Sequence, residues 1–402
     1  MRKFLLPCAL LLAVSAAAPA QPVVDGLVLA SHWGTNPGMY SALINLSRPV
    51  LRKHGTRRFD ALRVAHGNMR FVASDTTPYR RVYSVDSSGR ILLTLTGISP
   101  SLSISPGIEL DQDSGYVIVS GSTAYRLRGT RLSTLNGSLP FQAYDITRDQ
   151  DTGDFTIGGW DSGNQRWGLW RMDRVTGKVT SLQGTFRMIS EVAYNPVNGS
   201  TVVAQGSAND LLIKYRNGPF SRVIPFRDPT CVTVDPIRGH IYAANTHGEV
   251  LWADATGRVI KIWDFGDYRW SNIAIWGSRR ISTTASGQAG TKQAVFARFH
   301  LSPNLRYQCA LSFGNRPGVA VDPVRTLFLV PDALFFATAF NQVPGVTERF
   351  SGVTNSVGWA NPGFTIPAGV PPGTRLYFGM AVVNALYSGG LDVSNVECIK
   401  VR

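Results

Sequence analysis

The sequence is short of several things, and each shortage excludes a class of protein. Cysteine is scarce, four residues in 402, so the chain is no disulfide-stapled miniature and needs a packed apolar core. No Cys/His spacing of the zinc-binding kind occurs, nor a Gly-x-Ser-x-Gly elbow, a His-Glu-x-x-His pair or a phosphate-cradling Gly-rich loop. These gaps count against elbow-type hydrolases, zinc proteases and P-loop nucleotide enzymes. Charged residues make up only 16% of the chain, too few for a solvated disordered segment. Beyond the first twenty residues no run of about 20 apolar residues exists to cross a bilayer as a helix.

What is abundant points to strands and turns. There are 40 Gly and 23 Pro in a chain that is 44% hydrophobic, a balance too turn-rich for a helical bundle and lacking the collagen period. Residues 1–20 read as a signal peptide: Arg2 and Lys3 precede an apolar stretch, and Ala18-Pro19-Ala20 forms a small-x-small cleavage site before Gln21. The expectation is a secreted protein, whether extracellular, periplasmic or cell-surface, that works as a monomer. The formal charge is +14, or +12 without Arg2 and Lys3, and 33 of the 40 basic residues are Arg. Such a balance suits an anionic partner. Nucleic acid is not expected, because no basic run carries interleaved aromatics. The densest basic stretch, Arg52, Lys53, His54, Arg57 and Arg58, is a candidate anion patch. Of the cysteines beyond the leader, Cys309 and Cys398 share the C-terminal segment and are a candidate disulfide, while Cys231 in an apolar run reads as a buried hydrophobe.

One pattern recurs through the first two thirds of the chain: an apolar strand, a Gly-containing turn, a second apolar strand, then two alternating strands. Copies run over 62–95, 108–135, 143–182, 192–226 and 231–265, about the length of a four-stranded propeller blade. Residues 26–54 supply three strands without an innermost one, and 270–276 is an inner-type strand without followers. Together they complete a blade and close the ring. The fold class expected is therefore all-β: a six-bladed β-propeller over 21–278, followed by a β-sandwich over 279–402. Seven blades is the alternative, should 280–300 add one. In the second module 306–314, 325–330, 333–340, 363–369, 375–384 and 396–402 read as strands. Glu397 and Lys400 read as charges protecting a sheet edge.

The phrase VTVDPIRGHIYAANT over 232–246 resembles the NHL and gluconolactonase-like six-bladed propellers. The later phrases YQCALSFG, LVPDALFFATAF, FTIPAGVPPGTRLYFGMAVVN and SNVECIKV resemble a C-terminal β-sandwich appended to secreted bacterial proteins. The first resemblance implies ligand sites at the channel mouth, where first strands begin and second strands end. The candidates there are His32, Asp60, Asp75, Asp161, Glu191, Asn245 and His247. Gluconolactonase-like enzymes hold a divalent cation with Glu, Asn and Asp oxygens, which implies Glu191, Asn245 and Asp60 as ligands of Ca²⁺ or a similar ion here. The reading is a binding or interaction module for a protein or an anionic glycan, without catalysis or a required cofactor. The alternative is a metal-dependent lactonase or esterase-like hydrolase at the mouth.

Overall fold

A computed structural model describes residues 26–33, 38–43, 49–55, 61–64, 71–75, 81–85, 91–97, 107–111, 115–215, 220–276, 281–283, 286–299, 301–323 and 325–402. The leader at 1–20 and Asp60 lie outside these residues.

Among the described residues stand six antiparallel sheets of four strands each. Blade one is Arg269–Trp276, Gly26–Trp33, Gly38–Leu43 and Arg52–Gly55, from inside to outside. Blade two runs from Ala61–Val64 to Ile91–Gly97, blade three from Gly107–Leu110 to Arg131–Asn136, and blade four from Gln142–Arg148 to Val179–Phe186. Blades five and six run from Ile189–Asn195 to Phe220–Pro225 and from Pro229–Val234 to Val259–Asp264. In blade one Leu27 lies opposite Ile275 and Leu29 opposite Ile273, so strands from far apart in sequence zip together.

The ring is held by apolar clusters between sheets. Val28, Leu62 and Tyr83 join blades one and two; Val82, Ile108 and Ile118 join two and three; Val119, Phe141 and Ile157 join three and four. Leu169, Val192 and Val203 join four and five, Ile213, Val232 and Ile241 join five and six, and Tyr242, Trp270 and Leu29 return to blade one. This explains why second strands such as Ile241–Asn245 are buried throughout: both faces meet a neighbouring blade. Each fully buried Val, Leu or Ile contributes about 1.5–3 kcal/mol. Turns from first to second strand end in glycines with left-handed φ, at Gly153, Gly199 and Gly239, where a side chain would be strained.

The chain then leaves the ring. Residues Ile281–Thr283 and Lys292–Arg298 join Gly363–Thr365, Thr347–Glu348 and Trp359–Ala360 in one sheet, so 280–300 adds no blade. A second sheet holds Arg306–Ser312, Arg375–Val383, Ser351–Val353, Leu391–Val393 and Glu397–Lys400. The two share a core of Val295, Ala297, Phe364, Cys309, Phe378 and Met380. The stretch 333–340, expected as a strand, is instead a helix at Ala333–Ala339. Asp332 caps it by accepting from the Phe335 N–H, and buried Thr338 accepts from the Leu311 N–H at 2.9 Å. The expected Cys309–Cys398 disulfide does not form: both thiols are free and buried. Cys309 lies opposite Met380 and Cys398 opposite Tyr377, two positions an odd number of residues apart and so on opposite faces of the strand between them, and each thiol packs in a different core.

This second unit sits on the propeller face that carries the turns after the inner strands. Arg148 donates to Glu397 at 2.8 Å and to the Cys398 carbonyl at 2.5 Å. Lys400 reaches Asp173 at 2.8 Å and Asp154 at 3.2 Å, while Asn315 and Arg316 both donate to Asp151. Ile237 from a blade-six turn enters the apolar cluster of Leu329, Tyr377, Val396 and Cys398. Glu397 and Lys400 are thus docking residues, not the edge charges expected. Among the described residues no helix is long and apolar enough to cross a membrane.

Candidate functional site

Alternate residues of the inner strands face the axis, and one from each blade, Arg63, Glu109, Thr147, Ala193, Thr233 and Ala274, helps to line a cavity of about 90 Å³. Asp145 and Glu191 stand two residues before Thr147 and Ala193, on the same side of their strands and nearer the opposite end. Arg63 crosses between them: it donates to both oxygens of Asp145 at 3.0 Å and to Glu191 Oε1 at 2.5 Å. Beyond this ion pair, the same carboxylates tie blades together. Asp145 Oδ2 accepts from the Val192 N–H at 2.9 Å, and Glu191 Oε2 from the Val232 N–H at 2.8 Å. Asn272 does likewise for Leu62 at 3.1 Å. In each case an inner strand accepts from the strand of the following blade.

The charges in this channel are shifted for identifiable reasons. Burial pushes Glu191 up to about 8 and Asp145 up to about 6, against the pull of Arg63; the Asp145 charge adds to the rise of Glu191, and the Glu109 charge to that of Asp145. Burial also opposes the Arg63 charge, but Asp145, Glu191 and Glu109 outweigh it and hold the guanidinium protonated. A carboxyl poised near neutrality has the proton affinity of a general acid or base. Here, however, both Glu191 oxygens are already engaged. A divalent cation bound by Glu191 would have to displace Arg63 and then sit beside its positive charge, so these residues do not fit a cation. Among the described residues no group of three His, Cys, Asp or Glu side chains is arranged to hold a metal.

Asp161, Asn245 and His247 fall at the opposite end of the channel from the docked unit, in hairpins after second strands. Asp161 accepts from the backbone of Gly163 and Asn164 at 3.1 Å and from the Asn164 side chain at 2.7 Å, which lowers its pKa. Asn245 accepts from the N–H groups of His247 and Glu249 and donates to Glu249 and the Arg227 carbonyl. His247 contacts Asp228 at 2.9 Å. Asp75 ends the second strand of blade two and His32 is next to last in that of blade one; their side chains lie outside what is described. Glu191 is thus not brought together with Asp161, Asn245 or His247. It meets Arg63 and Asp145 instead.

Those two were missed, yet a signal existed. Aligning inner strands on Leu62, Ile146, Val192, Val232 and Ile273 puts Asp145, Glu191 and Asn272 in one column. The column two residues on is Arg63, Thr147, Ala193, Thr233 and Ala274, in which a lone Arg stands beside acids. Cys231 falls in the Glu191 column and is fully buried, as expected of a hydrophobe. The Asp149-Gln150-Asp151 turn holds itself: Asp149 accepts from the N–H groups of Asp151 and Thr152.

No known protein family matches the sequence, and no curated protein matches it. A solved chain of the nidogen/laminin complex superposes with a TM-score of 0.52 at 13% identity, covering 62% of this chain and 98% of its own. A protein provisionally named a gluconolactonase gives a TM-score of 0.44 at 15% identity, covering 53% of this chain and 79% of its own. The class that fold and likeness define is the β-propeller.

Proposed function

We propose that the protein is an exported, non-catalytic binding module of NHL-like repeats, whose C-terminal β-sandwich closes one propeller face and leaves the other for a partner. One observation carries this reading: the channel acids are committed to Arg63 and to the N–H groups of neighbouring blades. Groups that hold the ring together are poorly placed to turn over a substrate. The similar chain of the nidogen/laminin complex belongs to a protein complex, in keeping with propellers serving as interaction surfaces.

The competing reading, a divalent-metal lactonase or esterase-like hydrolase, draws on Glu191 being pushed up to about 8. Thermal-shift titration of the mature chain with Ca²⁺, Mg²⁺, Mn²⁺ and Zn²⁺ against a chelator, followed by a lactone and ester screen, separates the two. No saturable shift and no turnover is the expected result. A metal-dependent shift with turnover, both lost in Glu191→Gln, overturns the binding reading.

A further inference from the structure

The channel mouth away from the docked unit, open among the described residues, carries a repeated feature. Where the chain passes from one blade into the next inner strand, an Arg recurs: Arg187 in Phe186-Arg187, Arg227 in Phe226-Arg227 and Arg269 in Tyr268-Arg269. The Phe residues are buried and the Arg residues exposed. Each connector is clamped to the end of its own blade's second strand. The Arg187 N–H donates to Gln205, the Arg227 carbonyl accepts from Asn245, and the Arg269 carbonyl accepts from Ser31. The backbones of Arg187 and Arg227 are thus fixed in equivalent positions, four residues before Glu191 and Cys231, and Arg269 is fixed as the first residue of its inner strand, three before Asn272; the three guanidiniums have no partner among the described residues. Elsewhere in the ring Arg63, Arg126, Arg148 and Arg174 are ion-paired.

An aromatic platform lies beside the first of these. Trp167 is opposite both Trp160 and Phe186 in blade four, one residue from Arg187. Its ring lies 5.4 Å from Trp160 and 4.8 Å from Tyr144, and all three rings are half-buried. Acceptors stand on the same connectors and hairpins. Asp210, Asp228 and Glu249 hydrogen-bond to Gln205, His247 and Asn245, and Asp264 and Asp267 are exposed.

From this arrangement we propose that the open mouth binds an acidic oligosaccharide, a chain of uronate-type sugars, with Arg187, Arg227 and Arg269 receiving carboxylates and the Tyr144, Trp160 and Trp167 rings supporting sugar faces. Guanidinium forks match carboxylates in geometry and charge. Sugar hydroxyls donate as well as accept, so these Asp and Glu residues assist them. A phosphodiester strand has only acceptors along its backbone and so offers these carboxylates no donor, which favours a hydroxyl-bearing glycan over nucleic acid.

The proposal rests on the binding-module reading and names its ligand. The test is calorimetric titration of the mature chain with oligogalacturonate, a neutral gluco-oligosaccharide and single-stranded DNA, at low and physiological salt. Saturable binding to oligogalacturonate alone is expected, weaker by about tenfold or more when Arg187→Gln is combined with Arg227→Gln. Arg187→Lys should recover part of the loss, and Arg375→Gln, on an exposed strand start of the other unit, should bind as wild type. Circular dichroism establishes that the variants are folded. Failure to bind oligogalacturonate, unchanged binding in the double variant, or tighter binding of DNA overturns the proposal. None of these touches the binding-module reading, which falls only to metal-dependent turnover.

Discussion

The two ends of the channel use similar hairpin chemistry to opposite ends. At the docked end, charges are buried in pairs: Arg148 and Glu397 are 3% and 1% exposed, and Lys400 bridges Asp154 and Asp173. At the open end, turns are capped within their own blades by Asp161 and Asn245, and the arginines of the connectors face solvent. The docked end commits its charge to structure, and the open end leaves its charge available. The same residue type therefore means different things at the two ends of one strand, and position along the strand decides which.

The sharpest way to break that contrast is to open the docked pair. Arg148→Met leaves Glu397 buried without its partner and should cost about 3–5 kcal/mol in urea unfolding. Adding Glu397→Leu should return most of that loss. A similar cost for any single exposed arginine of the open end would contradict the division. Within the channel, Arg63→Met strands two acids and should lower stability by about 3 kcal/mol or more. Smaller is Thr338→Val, which leaves the buried Leu311 N–H without an acceptor and should cost about 1–3 kcal/mol.

Titration tests the two ends by sign. Glu191 has a folded pKa raised from 4.5 to about 8, so its proton is held more tightly in the folded chain. Its contribution is fully present below pH 4.5 and is lost as pH rises toward 8. Glu191→Gln should flatten that part of the stability–pH curve, and an unchanged slope refutes the assignment. Asp173 runs the other way: burial opposes its charge, but Lys400 and Thr176 hold it well below the usual carboxylate range. The Lys400→Met variant should therefore lose less stability than wild type as pH falls below the ordinary aspartate value. The smallest effect expected is none: dithiothreitol should leave the melting temperature unchanged, since Cys309 and Cys398 are free.

The repeat made the ring legible, because alternation and apolar runs report how many faces a strand buries. Blade one was readable from the same logic, as residues 26–54 and 270–276 each lacked what the other had. The helix at Ala333–Ala339 was not. Its aromatics favour a strand by propensity, and only the Asp332 cap and the spacing of Leu334, Phe335, Thr338 and Ala339 along one side betray the helical period. The candidate site was half legible. Glu191 was found by its place at a strand start, whereas its partner Arg63 is 128 residues away and adjacent only after the ring closes. Pairings made by closure leave no trace in local pattern. The docking role of Glu397 and Lys400 was hidden for the same reason, since Arg148 is 249 residues before Glu397.

Blade one also sets an order of assembly. The strand Gly26–Trp33 is among the first made, and the strand it pairs with, Arg269–Trp276, leaves the ribosome after the other five blades. At ordinary translation rates that delay is on the order of ten to fifty seconds. Throughout it the early strand keeps an unpaired edge, and the blade adjoining the gap exposes the apolar side that Leu29 and Tyr242 later cover. A chain that folds as it emerges, from the ribosome or from an export channel, is thus an open arc with two adhesive ends, and any factor that shields those ends until residue 276 arrives governs how much of it becomes a ring.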